Sequence, residues 1–210
     1  MFVLSRMVDT VRILPNKFDV DFHKALIYEL NKKFANKVVL NVGLCICFYD
    51  FEKVEDSYIL PGDGSSHTKV HFRFVVFRPF VDEILNGNIR SCNREGISIS
   101  MGFFDDIVIP ADKLPHPSRF QESDQLWVWK YDTGEDGAAP VDLFMEPGSE
   151  IRFRVAEERF MDTQPPVTSL VPGEATDGAT GEEQEKKQAP YLIVGTMSEP
   201  GLGCLQWWSS

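Results

Sequence analysis

The sequence predicts an α+β module, one helix packed on an antiparallel sheet, followed by an all-β barrel. Three observations carry that prediction. The segment 69–84, KVHFRFVVFRPFVDEI, reads as a strand that ends one module and passes at Pro79 into the next, since proline removes a backbone donor and biases Arg78 toward extended geometry. Upstream of it, apolar residues recur once at helical spacing between strand-like runs. Downstream, short strand-like runs follow one another with glycines at their bends.

In chain order, Phe2 to Ile13 alternates loosely and closes on Leu14-Pro15, a strand and then a turn. Phe22, Leu26, Ile27, Leu30 and Phe34 form the helical stripe, with Asp19 serving the N-terminus and Lys32, Lys33 and Lys37 matching the negative C-terminal end. Val38 to Phe51 and Ser57 to Leu60 read as strands, the second closing on the turn Pro61-Gly62-Asp63-Gly64. In the junction strand Phe72, Phe74 and Val76 share one face, while Val70, His71, Arg73, Val75 and Phe77 are mixed, so both faces are expected to be at least partly covered. From Val81, strands are predicted near 82–93, 96–101, 106–109, 125–131 and 150–155, and Gly87, Gly96 and Gly102 fall where a tightly curved sheet needs glycine. Five such strands indicate a small OB barrel, which 190–197 would complete. The expected units are 1–80 and 81–210, rigidly coupled, with a disordered insertion at 164–189, whose composition cannot repay the entropy of ordering.

Charge is unevenly placed. The formal net charge is -11, with 11 basic against 9 acidic residues in 1–80 and 10 against 23 in 81–210. That balance opposes sequence-blind binding to phosphate backbones, so any nucleic-acid contact must be local. Cys45, Cys47, Cys92 and Cys204 lack a secreted spacing and no leader-like segment precedes them, so a reducing intracellular setting without disulfides is expected. No apolar run approaches the roughly 20 residues of a membrane helix, and no membrane association is expected.

VVFRPFVDEILNGNI, GISISMGFFDDIVIP and EPGLGCLQWW occur together and in that order. With them the chain resembles the stalk-subunit family of RNA polymerase III and, more broadly, the two-module stalk subunits of multisubunit RNA polymerases. Apart from the insertion the resemblance runs essentially end to end. It implies a tip domain followed by an S1-type OB barrel, and a noncatalytic role. It further implies docking of the tip on the polymerase core near the clamp, and a small helical partner subunit packed along both modules. A place near the RNA exit, contact with nascent RNA, a nuclear location and support of initiation on tRNA and 5S rRNA genes are also implied. No cofactor is expected.

The glycine-rich PGDGSS at 61–66 lacks the lysine of a P-loop and precedes a strand, so it reads as a hairpin turn. By the resemblance, Pro61, Gly62, Asp63 and Gly64 also form the loop that docks on the core. Cys45 and Cys47 lack a second pair, and His67 and His71 lie on an extended segment, so neither set reads as a metal site. Asp105 and Asp106 are neighbours on a strand and point apart, which denies them a shared catalytic centre.

An OB barrel would take RNA on the face of its second and third strands, stacking bases on aromatics and pairing phosphates with Arg or Lys. Phe103, Phe104, Lys130, Arg152 and Arg154 are the candidates; the competing reading makes the phenylalanines core or partner contacts and the arginines neutralisers of the acid excess. Trp127 and Trp129 share a face, either barrel core or a wall for the partner, and the reading preferred here leaves one partly exposed to it. Trp207 and Trp208 cannot both turn inward from extended chain, so at least one covers an interface or the module junction. The competing functions are the equivalent subunit of a sister nuclear polymerase and a freestanding S1-type RNA-binding protein. An enzyme is disfavoured because no spacing supplies a nucleophile, a base or a metal set.

Overall fold

The computed structural model describes residues 1–132, 140–162 and 189–208. Its first sheet is built on β1 (Phe2–Ile13), α1 (Phe22–Phe34), β2 (Lys37–Val39), β3 (Gly43–Val54), β4 (Tyr58–Ile59) and β5 (Ser66–Phe77). β5 is the centre: β1 pairs with it antiparallel along its whole length, β3 takes its other edge, β2 extends β3, and β4 pairs with the start of β5. Val70, Phe72, Phe74 and Val76 are fully buried on one face of β5. Val70 therefore belongs with the apolar row rather than with the mixed set, as its even spacing requires.

Helix α1 lies over that row and buries Ala25, Leu26 and Leu30, with Phe34 packed on Phe72 and Phe74 at ring distances of 5.9 and 6.0 Å. Two helical expectations shift. The cap is Asp21, whose carboxylate accepts from the Lys24 amide at 3.1 Å, because a 3-10 turn over Pro15–Lys17 delays the helix beyond Asp19. Phe22, the first residue of the expected stripe, stays exposed and Ala25 takes the buried position.

The second part contains β6 (Ile84–Asn93), β7 (Gly96–Ser100), β8 (Ile107–Pro110), β9 (Ser118–Gln121), β10 (Leu126–Tyr131), β11 (Val141–Met145), β12 (Glu150–Phe160), β13 (Tyr191–Thr196) and β14 (Gly203–Cys204). Five of these close a barrel: β6, β7 and β8 run antiparallel, β8 pairs parallel with β13, β13 pairs with β12, and β12 returns to β6. That closure is consistent with an OB fold. Gly96, at φ 151°, stands where an added Cβ would be 2.1 Å from the Ile109 carbonyl oxygen. A Cβ on Gly87 would meet the Ile99 side chain at 2.6 Å.

The strand expected at 125–131 is real but is not a barrel strand. As β10 it lies between β9 and β11 in a separate three-stranded sheet. Trp127 and Met145, cross-strand neighbours there, turn their shared face onto the barrel core. Large indoles on one side of WVWKY need a surface to lie against, and the narrow interior of a five-stranded barrel is already filled by Ile, Val and Phe.

The passage between the two parts is residues 78–83 rather than one continuous strand. It is nevertheless tied down. The Asp82 amide donates to the Val155 carbonyl at 2.8 Å and the Val155 amide donates to the Glu83 carbonyl at 2.9 Å. Phe77 and Leu44 from the first sheet sit in the same buried cluster as the barrel interior. Across the junction the Arg78 guanidinium donates to Glu158 at 2.6 Å and to the Asn41 carbonyl at 2.8 Å, and the Met1 amine donates to Glu83 at 2.5 Å. The insertion expected at 164–189 lies, except for Ala189, outside the described residues.

Candidate functional site

At the free end of the first sheet, Pro61–Gly64 forms the turn between β4 and β5, as its composition requires. Gly62 and Gly64 take left-handed φ values of 91° and 65°, and the Leu60 carbonyl accepts from the amides of Asp63 and Gly64. The turn is clamped through Asp63: Arg12 of β1 donates to it from Nε at 2.9 Å, and His67 Nε2 lies 3.0 Å from the same carboxylate. Arg12, then His67, hold the Asp63 carboxyl down at about 2. Pro15 lies 3.8 Å from where a Gly64 Cβ would stand, which brings the segment after β1 alongside. That segment presents Leu14, Phe18 and Val20, all exposed, beside the turn. Sequence reading missed them: they lie outside any strand or helical repeat, so periodicity gives them no face.

A second apolar surface spans the junction. Phe2 and Leu4 of β1 are exposed, and the Phe2 ring lies 5.8 Å from that of Phe103 in the loop between β7 and β8. Phe80, Val81 and Ile84 are exposed in and just after the passage, with fractional exposures of 60%, 56% and 51%. Exposure of this extent on hydrogen-bonded backbone is a preformed surface.

Adjacent phenylalanines have opposite fates here. Phe103 is 43% exposed, whereas Phe104 is 4% exposed and packs on Phe77 and Tyr191 at 5.2 and 5.5 Å. Phe104 is core and has no free face for a base to stack on. Lys130 is exposed on β10, on the face opposite Trp127 and Trp129. Arg152 is exposed on β12, while Arg154 is engaged by Glu199 at 2.7 Å and Asp82 at 3.9 Å. The structure thus puts Phe104 in the core and sets Lys130 on a different sheet from Arg152 and Arg154.

The four tryptophans also divide. Trp127 is buried and its indole donates to the Asn93 carbonyl at 3.0 Å. Trp129 is half-buried between Tyr131 and Trp207, at ring distances of 5.0 and 5.4 Å. The chain ends in a 3-10 turn over Leu205–Trp207, which directs Trp207 against Trp129 and over Gly203, and leaves Trp208 exposed.

Among the described residues no group of three or more His, Cys, Asp or Glu is placed to hold a metal ion. His67 and His71 lie on β5 and are bonded to Asp63 and Glu55. The Asp105 carboxylate accepts a hydrogen bond from the Ser100 hydroxyl, while partial burial and then the Asp105 charge raise the Asp106 carboxyl. Burial pushes the thiols of Cys45 and Cys92 up to about 11 and that of Cys204 to about 12, so all three remain protonated and unreactive at neutral pH.

The model of the family described as RNA polymerase III subunit Rpc25 matches residues 83–208. The chain belongs to that family. The model for the SHS2 domain found in the N terminus of Rpb7p/Rpc25p/MJ0397 matches residues 8–64, within the sheet that carries α1. The chain is 55% identical to DNA-directed RNA polymerase III subunit RPC8 of Bos taurus over 210 residues, covering 100% of both chains. It is 43% identical to the rpc8 subunit of RNA polymerase III of Schizosaccharomyces pombe, over 99% of this chain and 100% of the relative. With DNA-directed RNA polymerase II subunit RPB7 of Saccharomyces cerevisiae it shares 32% identity over 60% of this chain and 80% of the relative. The Rpc25 match starts at the beginning of the barrel, and the resemblance drawn from GISISMGFFDDIVIP and EPGLGCLQWW falls inside it.

Proposed function

We propose that this protein is a noncatalytic stalk subunit of RNA polymerase III, in which residues 1–80 form the tip and 81–210 the S1-type barrel. It works as a heterodimer with a small helical subunit, joins the polymerase core near the clamp and the RNA exit, acts in the nucleus, and supports initiation on tRNA and 5S rRNA genes. The barrel contacts nascent RNA. The exposed apolar surface carried jointly by both modules is the observation that most supports this reading: Phe2 and Phe103 touch across the junction while remaining open to solvent. A partner laid along that seam removes the exposed area from water and bridges both modules at once. The turn at Pro61–Gly64, with Leu14, Phe18 and Val20 beside it, is at the opposite end of the first sheet and suits docking on the core. The full-length likeness to RNA polymerase III subunits, against a shorter and weaker likeness to the polymerase II subunit, favours polymerase III over a sister enzyme.

The test is co-purification of the helical subunit with tagged protein carrying Phe2→Ser and Phe103→Ser. The double variant is expected to lose at least tenfold of the partner while keeping its thermal midpoint within a few degrees. Undiminished recovery contradicts the seam as the partner's seat.

A further inference from the structure

The surface on which an OB barrel usually takes single strands is poorly equipped in this protein. On β7 and β8 the outward positions are Ser98, Ser100, Val108 and Pro110, which offer neither an aromatic ring nor a cation. One strand over, the chemistry changes. Outward residues of β6 and β12 pair directly, Asn88 with Glu150 and Asn86 with Arg152. Between this pair of strands and the end of β7 runs a groove of about 260 Å³, lined by Asn86, Asn88, Ser100, Met101 and Glu150. Among the described residues, the side chains of Asn86, Asn88 and Arg152 have no hydrogen-bond or ion-pair partner.

An aromatic ring stands at one end. Arg152 also pairs with Gly203, and a Cβ on Gly203 would run into the Trp207 ring at 2.3 Å, so Trp207 lies on the same outward side as Arg152.

We infer that single-stranded RNA crosses the barrel along the outer face of β6 and β12, not over β7 and β8, which rests on the RNA-contact reading given above. Asn86 and Asn88 each offer one acceptor and two donor hydrogens to base edges, the guanidinium of Arg152 takes a phosphate, and Trp207 supplies a stacking face at one end. Glu150 can only accept, from base N–H groups or a ribose hydroxyl, and repels phosphate, so the backbone runs on the Arg152 side. A protein partner fits this groove less well, because the centre of a protein interface is apolar and this one is lined by amides, a hydroxyl and a carboxylate. With an acid excess over 81–210, affinity comes from stacking and base edges, and the salt dependence is shallow.

Fluorescence anisotropy of a labelled 15-nucleotide single-stranded RNA, titrated with the full-length chain, tests the inference. The Asn86→Ala, Asn88→Ala double variant is expected to bind about tenfold more weakly. Arg152→Ala should reduce the slope of log affinity on log salt by about 0.7. Glu150→Gln should bind more tightly, and Lys130→Ala, on the separate three-stranded sheet, should bind as the parent does; all are expected to keep the parent's thermal midpoint. If the parent binds and the groove variants bind equally well, the path along β6 and β12 is overturned while RNA contact stands. If the parent does not bind, both are overturned.

Discussion

Phe103 and Phe104 differ by one position and have opposite roles. Phe104 is wedged between Phe77, which comes from the first sheet, and Tyr191 of the barrel, so it belongs to the packing that joins the two modules. Phe104→Ala should cost about 3–5 kcal/mol in urea unfolding, the range for deleting a buried phenyl ring, whereas Phe103→Ala should cost about 1 kcal/mol or less. Equal losses would contradict the assignment of one ring to the core and the other to the surface. The sequence leaves both open between RNA contact and a core or partner-facing role, because a loop between strands has no fixed side-chain period and adjacent aromatics carry no mark of direction. Arg152 and Arg154 make the complementary point. Alternation places both outside the barrel correctly, but only the fold reveals that Asp82 and Glu199 converge on Arg154, while Arg152 has no ion-pair partner among the described residues.

At the level of elements, strong periodicity is legible in the sequence and short, mixed strands are not. β1, α1, β5, β6 and β13 appear close to where alternation and helical spacing put them. β9 and β11 leave no sequence signal: SRFQ and VDLFM are short runs of mixed character, and without them β10 reads as a barrel strand. The turn before β5 was legible because glycine, proline and aspartate each have a geometric reason to be there. Its clamp was not, since Arg12 and Asp63 are distant in sequence. That clamp has a definite pH signature. The Asp63 carboxyl lies at about 2 in the folded chain against about 3.9 in an unfolded one, so its contribution is complete above pH ~4 and is lost as pH falls toward ~2. Hydrogen exchange at the Gly64 amide, corrected for intrinsic rate, should therefore quicken across that window while barrel amides change less. An Asp63→Asn variant should show the quickened exchange already at neutral pH. Identical protection in parent and variant would remove Asp63 as the group that fixes the turn.

For the whole molecule, the central feature is that two differently built modules share one buried cluster and a bonded passage. Pro79 signalled a change of module, and the acid excess of 81–210 signalled that the barrel would not grip nucleic acid by charge alone. The sequence could not say that Phe2, Leu4, Phe80, Val81 and Ile84 stay exposed around the junction, because apolar residues on both faces of a strand look the same whether a neighbour lies within the chain or in another protein. Such a surface on a hydrogen-bonded junction is the physical case for an assembly subunit, and the family to which the chain belongs points to which assembly. Affinity purification of the tagged chain from its own cells, with the copurifying proteins identified by mass spectrometry, tests that claim most directly. Recovery of a small helical subunit together with polymerase III core subunits is the predicted result; recovery of the chain alone, or with RNA and no polymerase, would contradict it.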